Sequence, residues 1–190
     1  MKLWLVRHAP VLLAPGRCYG ASNIPVDPVL TRQAAARFAP VPAQDSVLFS
    51  SPLDRTHLLA LELLRLRPDF QEIHLDARLQ EMDFGTWELQ PWEDIPKSAF
   101  DAWTSDFSNH RFGGVESTQT VIDRVADALN DLCARGHRDV VWVTHAGVIK
   151  AVTFLFKGRG RSIHATADWP ASAPAMGAWT MFDLDGATRL

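Results

Sequence analysis

The chain opens on an apolar run, Lys2–Val6, and the same texture returns at Val47–Ser50 and Val140–Thr144. These runs are continuous rather than alternating, which predicts parallel strands covered on both faces. Ile73–Leu75 and Trp179–Leu184 are weaker strand candidates. Helical patterns fill the intervals. Thr31 is placed to cap a helix running to about Phe38. Ser51-Pro52 offers an N-cap serine and a proline at the first helical position, ahead of the leucine-rich stretch Leu53–Leu66. Val121, Val125, Ala128, Leu129 and Leu132 recur at helical spacing, and Gly136 stands where a C-terminal cap belongs. Gly147–Lys157 predicts one more, mostly apolar helix. Strands alternating with helices predict an α/β fold, a three-layer sandwich with a mostly parallel central sheet flanked by helices.

The stretch Trp87–Gly114 breaks this rhythm. It sets Trp87, Trp92, Phe100, Trp103, Phe107 and Phe112 among acidic and polar residues without clean periodicity. We read it as an aromatic-rich cap, an insertion at about 86–114 lying over one end of the sheet. No repeat or linker divides the chain, so one domain is expected over residues 1–190.

Composition narrows the partners. The chain has 190 residues, 47% of them hydrophobic and 22% charged, the proportions of a globular protein with a real core. A net charge of -3 gives no electrostatic reason to expect nucleic acid or an anionic membrane as partner. The two cysteines, Cys18 and Cys133, are far apart and read as free thiols of a reducing compartment. The first apolar run stops at Arg7-His8, too short for a signal peptide, and no stretch reaches the ~18 apolar residues of a membrane span. A cytoplasmic protein, monomer or homodimer, is expected.

In an open α/β sheet, ligands bind beyond the carboxyl ends of the strands. The first strand ends in Arg7-His8, the second runs into Ser51-Pro52-Leu53-Asp54-Arg55, and the late valine-rich strand ends in Thr144-His145-Ala146-Gly147. Two histidines and two arginines thus converge on one edge. Arg7 and His8 can share a pocket only if the chain leaves the sheet there, and Ala9-Pro10 does end the strand. Arg55 falls in the first turn of a helix, where a cation opposes the helix dipole unless an anion binds there. Gly147 starts a second helix whose free amides are expected to face the same place.

These residues suggest phosphoryl chemistry. A neutral imidazole is a competent nucleophile near pH 7 if its other ring nitrogen is held. Two guanidinium forks suit the non-bridging oxygens of a phosphoryl group. Glu81, in Leu79-Gln80-Glu81-Met82-Asp83-Phe84-Gly85-Thr86-Trp87-Glu88, sits among apolar neighbours that could keep it protonated as the acid for a leaving alkoxide. A bell-shaped pH profile follows, because the nucleophile must be neutral and the acid protonated.

The motifs resemble those of the histidine phosphatase superfamily, with its phosphoglycerate mutase-like fold. Leu5-Val6-Arg7-His8 is similar to its N-terminal signature, and Ser51-Pro52-Leu53-Asp54-Arg55 to its second arginine motif. Leu79-x-Glu81-x-x-Phe84-Gly85-x-Trp87-Glu88 is similar to its acid motif, Gly114-Val115-Glu116-Ser117 to its Gly-Glu-Ser segment, and Val143-Thr144-His145-Ala146-Gly147 to its second-histidine motif. The resemblance implies a metal-independent hydrolase of small phosphate esters with no cofactor. In it His8 is the phosphorylated nucleophile, Arg7, Arg55 and His145 form the phosphate pocket, and Glu81 is the acid. The loop from Pro15 through Val26 is similar to one in the α-ribazole phosphatase branch, which acts late in cobalamin nucleotide-loop assembly. Ala9, Ala14, Ala146, Leu59-Ala60 and Val115 depart from the usual pattern without removing a catalytic group. Tyr19 in that loop, Trp87 in the aromatic segment and Ala146 beside His145 are the expected substrate contacts.

Simpler roles are available for other residues. His57, His74, His110, His137 and His164 form no ligand-spaced cluster, so surface or packing roles are expected and no metal site. Ser51 reads as a helix cap, because no Gly-x-Ser-x-Gly elbow surrounds it. Two alternatives to hydrolysis stand beside it. A phosphoglycerate mutase would return the phosphate to substrate, although the short chain leaves less sequence to close the site. A non-catalytic phosphate-binding module would keep the fold without turnover.

Overall fold

A computed structural model describes residues 1–157 and 160–184. Its centre is a five-stranded sheet built from β1 (Lys2–Arg7), β2 (Val47–Ser50), β3 (Ile73–Leu75), β4 (Asp139–Thr144) and β5 (Trp179–Asp183), in the order β3-β2-β4-β1-β5. The pairs β1–β4, β2–β4 and β2–β3 are parallel, and β5 runs antiparallel to β1. The unbroken apolar runs are explained by the two faces. In β1, Leu3 and Leu5 enter one core while Val6 enters the other; in β4, Val140 and Trp142 face one way, Val141 and Val143 the opposite way. Period-two alternation is present, but both phases meet protein.

Helices α1 (Pro28–Phe38) and α2 (Asp54–Leu66) cover one face through Ala34, Ala35, Phe38, Leu59, Ala60 and Leu63. A short third helix, α3 (Lys97–Ser105), belongs to the aromatic segment. Helices α4 (Thr118–Arg135) and α5 (Ala146–Phe156) cover the opposite face through residues such as Val125, Leu129, Ile149 and Val152. Ser117 and Thr120 form a capping box on α4, and Gly136, the C-terminal cap that the sequence pattern predicts, ends it in the left-handed conformation. No helix among the described residues is long and apolar enough to cross a membrane.

Two predicted helix starts are corrected. Asp27, not Thr31, caps α1, its carboxylate accepting from the amides of Val29 and Leu30, while the Thr31 hydroxyl donates back to the Asp27 carbonyl inside the helix. Ser51 does not cap α2. The helix begins at Asp54 after an extended Leu53 with no side-chain cap, and Ser51 Oγ turns instead toward His145 and the Leu53 amide. A tertiary partner outbids the local one.

The sheet also contains a topological switch. The chain leaving β1 goes to α1 on one face, whereas the chain leaving the adjacent β4 goes to α5 on the other. The two connections diverge and open a crevice at the carboxyl ends of the strands, where ligands bind in such sheets.

Candidate active site

Strand register brings the site together. Arg7 stands opposite Thr144 and Ser50 opposite Val143, so the next residues, His8, His145 and Ser51, emerge side by side. Backbone bonds carry the alignment past the strand ends: the His8 amide donates to the Thr144 carbonyl and the Ser51 amide to the Val143 carbonyl, each at 3.0 Å. The His8 and His145 rings lie 5.3 Å apart between centroids. Both histidines, Ser51 and Arg55 are buried.

Tautomers follow from partners. His8 Nδ1 lies 2.8 Å from the Ala9 carbonyl oxygen, which only accepts, so Nδ1 carries the proton and Nε2 keeps its lone pair. Burial pushes the His8 pKa down to about 3, reinforced by Arg55 and Arg7 and opposed by the Ala9 bond, so its ring is neutral across the physiological range. In His145 the order is reversed. Arg55 Nε donates to Nδ1 at 3.2 Å, which leaves the proton on Nε2, 2.9 Å from Ser51 Oγ. Burial holds His145 well below its usual value, with Arg55 and His8 adding to the effect.

Arg55 is the most constrained member. Its Nη1 donates to the Ser22 carbonyl at 2.8 Å and its Nη2 to the Gly20 carbonyl, while its guanidinium carbon lies 5.4 Å from the Tyr19 ring centroid. Three of its five N–H donors are thus directed at protein acceptors and two are left. Arg7 donates from Nη1 to the Pro174 carbonyl at 2.9 Å, and its buried Nε has no hydrogen-bond partner. An unpaired buried donor costs about 1–3 kcal/mol, a cost that an anion hydrogen-bonded to it would remove.

Glu81 lies against the start of α5. Both carboxyl oxygens are 3.1 Å from the Gly147 amide nitrogen, and Oε1 also accepts from the Met82 amide. The amide expected to be free for a ligand therefore serves this carboxyl. Gly147 makes the approach possible, since a Cβ there would overlap Glu81 Oε1. Glu81, Ala146 and Gly147 line a cavity of about 220 Å³ with Met82, Phe84, Trp103, Thr118, Val121, Lys150 and Trp169. The Tyr19 ring centroid lies 6.5 Å from that of His8. Trp87 stands against Phe112, at 6.0 Å, in the cluster behind the cavity wall. The rings at the cavity are Phe84, Trp103 and Trp169.

Sequence reasoning missed three contributors. Ser51 is the partner of His145. Glu88 accepts from four backbone amides, those of Gly20, Ala21, Ser22 and Phe84, at 3.0–3.2 Å. Burial opposes its charge, but these donors prevail and hold its pKa below the usual carboxylate value. Glu88 thereby fixes the loop whose carbonyls anchor Arg55. Lys150, read only as part of an apolar helix, faces the cavity. Glu116 of the Gly-Glu-Ser-like segment pairs with Arg124 at 2.9 Å and accepts from the Asp83 amide, positioning the strand of chain that carries Glu81.

The profile of the histidine phosphatase superfamily (branch 1) matches residues 3–181. The chain belongs to this superfamily. Among curated relatives, phosphoserine phosphatase 1 of Hydrogenobacter thermophilus is 31% identical over 163 residues, covering 80% of this chain and 74% of the relative. Solved histidine phosphatase folds superpose closely. The α-ribazole phosphatase of Shigella flexneri gives a TM-score of 0.79 at 24% identity, covering 96% of this chain and 90% of that one. Mycobacterial glucosyl-3-phosphoglycerate phosphatase gives 0.77 at 24% identity, covering 95% and 88%. At such identities the two structures establish shared fold, a mostly parallel sheet between helical layers, and the family assignment makes this chain a phosphatase of phosphate esters.

Proposed function

We propose that this histidine phosphatase hydrolyses small phosphate monoesters through a phosphohistidine on His8, without a metal ion. The observation that carries the reading is the neutral His8 ring with Nε2 unprotonated, in the field of the Arg55 and Arg7 charges. Nε2 attacks phosphorus as the ester P–O bond breaks, and Glu81 gives its proton to the departing oxygen. Water then attacks the phosphohistidine, the P–N bond breaks, and Glu81 recovers a proton from that water. Arg7 and Arg55 supply the positive charge for the non-bridging oxygens, a role a metal plays in other phosphatases. His145, with both ring nitrogens engaged, orients Arg55 and walls the pocket rather than offering a free donor.

The leaving group is a separate question. Sequence similarity at 31% points toward phosphoserine-like esters. The Pro15–Val26 loop is the support for α-ribazole 5′-phosphate and a place in cobalamin assembly. A panel of α-ribazole phosphate, phosphoserine, 3-phosphoglycerate, sugar phosphates and p-nitrophenyl phosphate, run with and without EDTA, tests the reading. Release of inorganic phosphate that EDTA leaves unchanged and His8→Ala abolishes is expected. Phosphate release by His8→Ala at the wild-type rate, or dependence on an added divalent cation, rejects it.

A further inference from the structure

The cavity beside Glu81 has an unusual lining: three aromatic rings, aliphatic side chains and a single cation, Lys150. Lys150 lies three residues after Gly147 on α5, so its side chain shares the helix face that holds Glu81. It is half-buried and makes no hydrogen bond or ion pair among the described residues. An ammonium in a mostly apolar wall with no hydrogen-bonded counterion is costly, and a ligand anion would supply one.

Resting on the phosphatase reading above, we propose that this cavity receives the leaving group and that Lys150 binds a carboxylate on it. The aromatic faces of Phe84, Trp103 and Trp169 would attract a cation. The ammonium in the same lining opposes that, and the one acidic residue there, Glu81, is committed to proton transfer. The combination selects a flat or short apolar body ending in an anion. Burial holds the Lys150 pKa below its usual value, with the Glu81 charge opposing and the Arg7 charge reinforcing the shift. At about 220 Å³ the cavity falls below the ~300–1,000 Å³ of sites for drug-sized ligands, so one ring or a short carbon chain fills it.

A matched ester pair tests the assignment. Beyond their para substituents, 4-carboxyphenyl phosphate and 4-carbamoylphenyl phosphate are alike, one bearing an anion and the other a neutral amide of the same shape. The wild-type kcat/KM ratio is expected to favour the carboxylate by about 10- to 100-fold, the range of one charge-assisted bond, and to shrink at high salt. In Lys150→Met the ratio falls toward one through a raised KM for the carboxylate, and in Lys150→Glu it inverts. A wild-type ratio near one overturns the proposal without any variant. So does a ratio that survives in Lys150→Met, because a lysine that only adjusts Glu81 would change both esters alike. If neither ester is turned over and no phosphate appears on His8, the phosphatase reading itself fails and takes the proposal with it.

Discussion

A histidine attacks phosphorus through a ring nitrogen free of its proton, and His8 meets that condition through its own peptide neighbour. Its pKa of about 3 sharpens the pH expectation. A nucleophile titrating near 6.5 would produce an acid limb in kcat/KM around neutrality. Here kcat/KM, corrected for ionisation of the substrate phosphate, is expected to show no loss from pH 7 to pH 5; an apparent pKa near 6.5 on that limb contradicts the geometry. Glu81→Gln keeps the shape of the side chain and removes the proton donor, so kcat with an alkyl phosphate is expected to fall by about 10²–10⁴-fold with KM little changed. At this scale the sequence was most informative where residues close buried strands. His8, Arg7, Arg55 and His145 all follow or start from strand ends, and the register delivers them to one crevice. Ser51 and Lys150 were illegible for one reason: each sits in a locally consistent helix pattern, and its partner or cavity belongs to a distant segment.

The elements show how a loop becomes part of a catalytic site. Glu88, from the aromatic segment, gathers the amides of Gly20, Ala21 and Ser22, and the carbonyls of Gly20 and Ser22 then hold Arg55 at the head of α2. Gly20 itself has no room for a Cβ, which would overlap the Met82 carbonyl. Glu88→Ala is therefore expected to loosen Arg55 and weaken binding of inorganic phosphate by about tenfold, with Glu88→Gln intermediate because an amide accepts at only one atom. Isothermal titration with phosphate reads this directly; unchanged affinity in Glu88→Ala would show that Arg55 is held without the loop. The helix starts make a related point about legibility. Thr31 and Ser51 fit cap patterns, yet Asp27 has the better carboxylate and His145 claims the serine. Local propensity proposes such caps, and tertiary hydrogen bonds decide among them.

At the scale of the whole molecule, two buried neutral histidines link the site to stability. Both have folded-state pKa values below the unfolded value of about 6.5. Below about pH 6.5 the unfolded chain binds protons that the folded His145 excludes, as does His8 down to about pH 3. Stability therefore falls as pH drops through that window, by about 1.4 kcal/mol per pH unit for each histidine at most. Urea unfolding at pH 7 and pH 5, in buffer free of phosphate, should show this loss, and His145→Gln should reduce its slope. The fold class and the strand positions were readable because both faces of the sheet are covered, which leaves unbroken apolar runs in the sequence. The aromatic segment was not readable. Its rings converge on Phe112, fully buried and within 4.5–6.4 Å of Phe84, Trp87, Trp92, Phe100 and Trp103, a cluster with no helical or strand period.

The central claim is a covalent P–N bond at one nitrogen of one residue. Wild-type enzyme mixed with a ³²P-labelled monoester and quenched in alkali within milliseconds tests it most directly. The account predicts protein-bound label that survives base, is released by mild acid, maps to the peptide containing His8 and is absent from His8→Ala. Rapid turnover with no label on the protein, or label that maps to another residue, would contradict it.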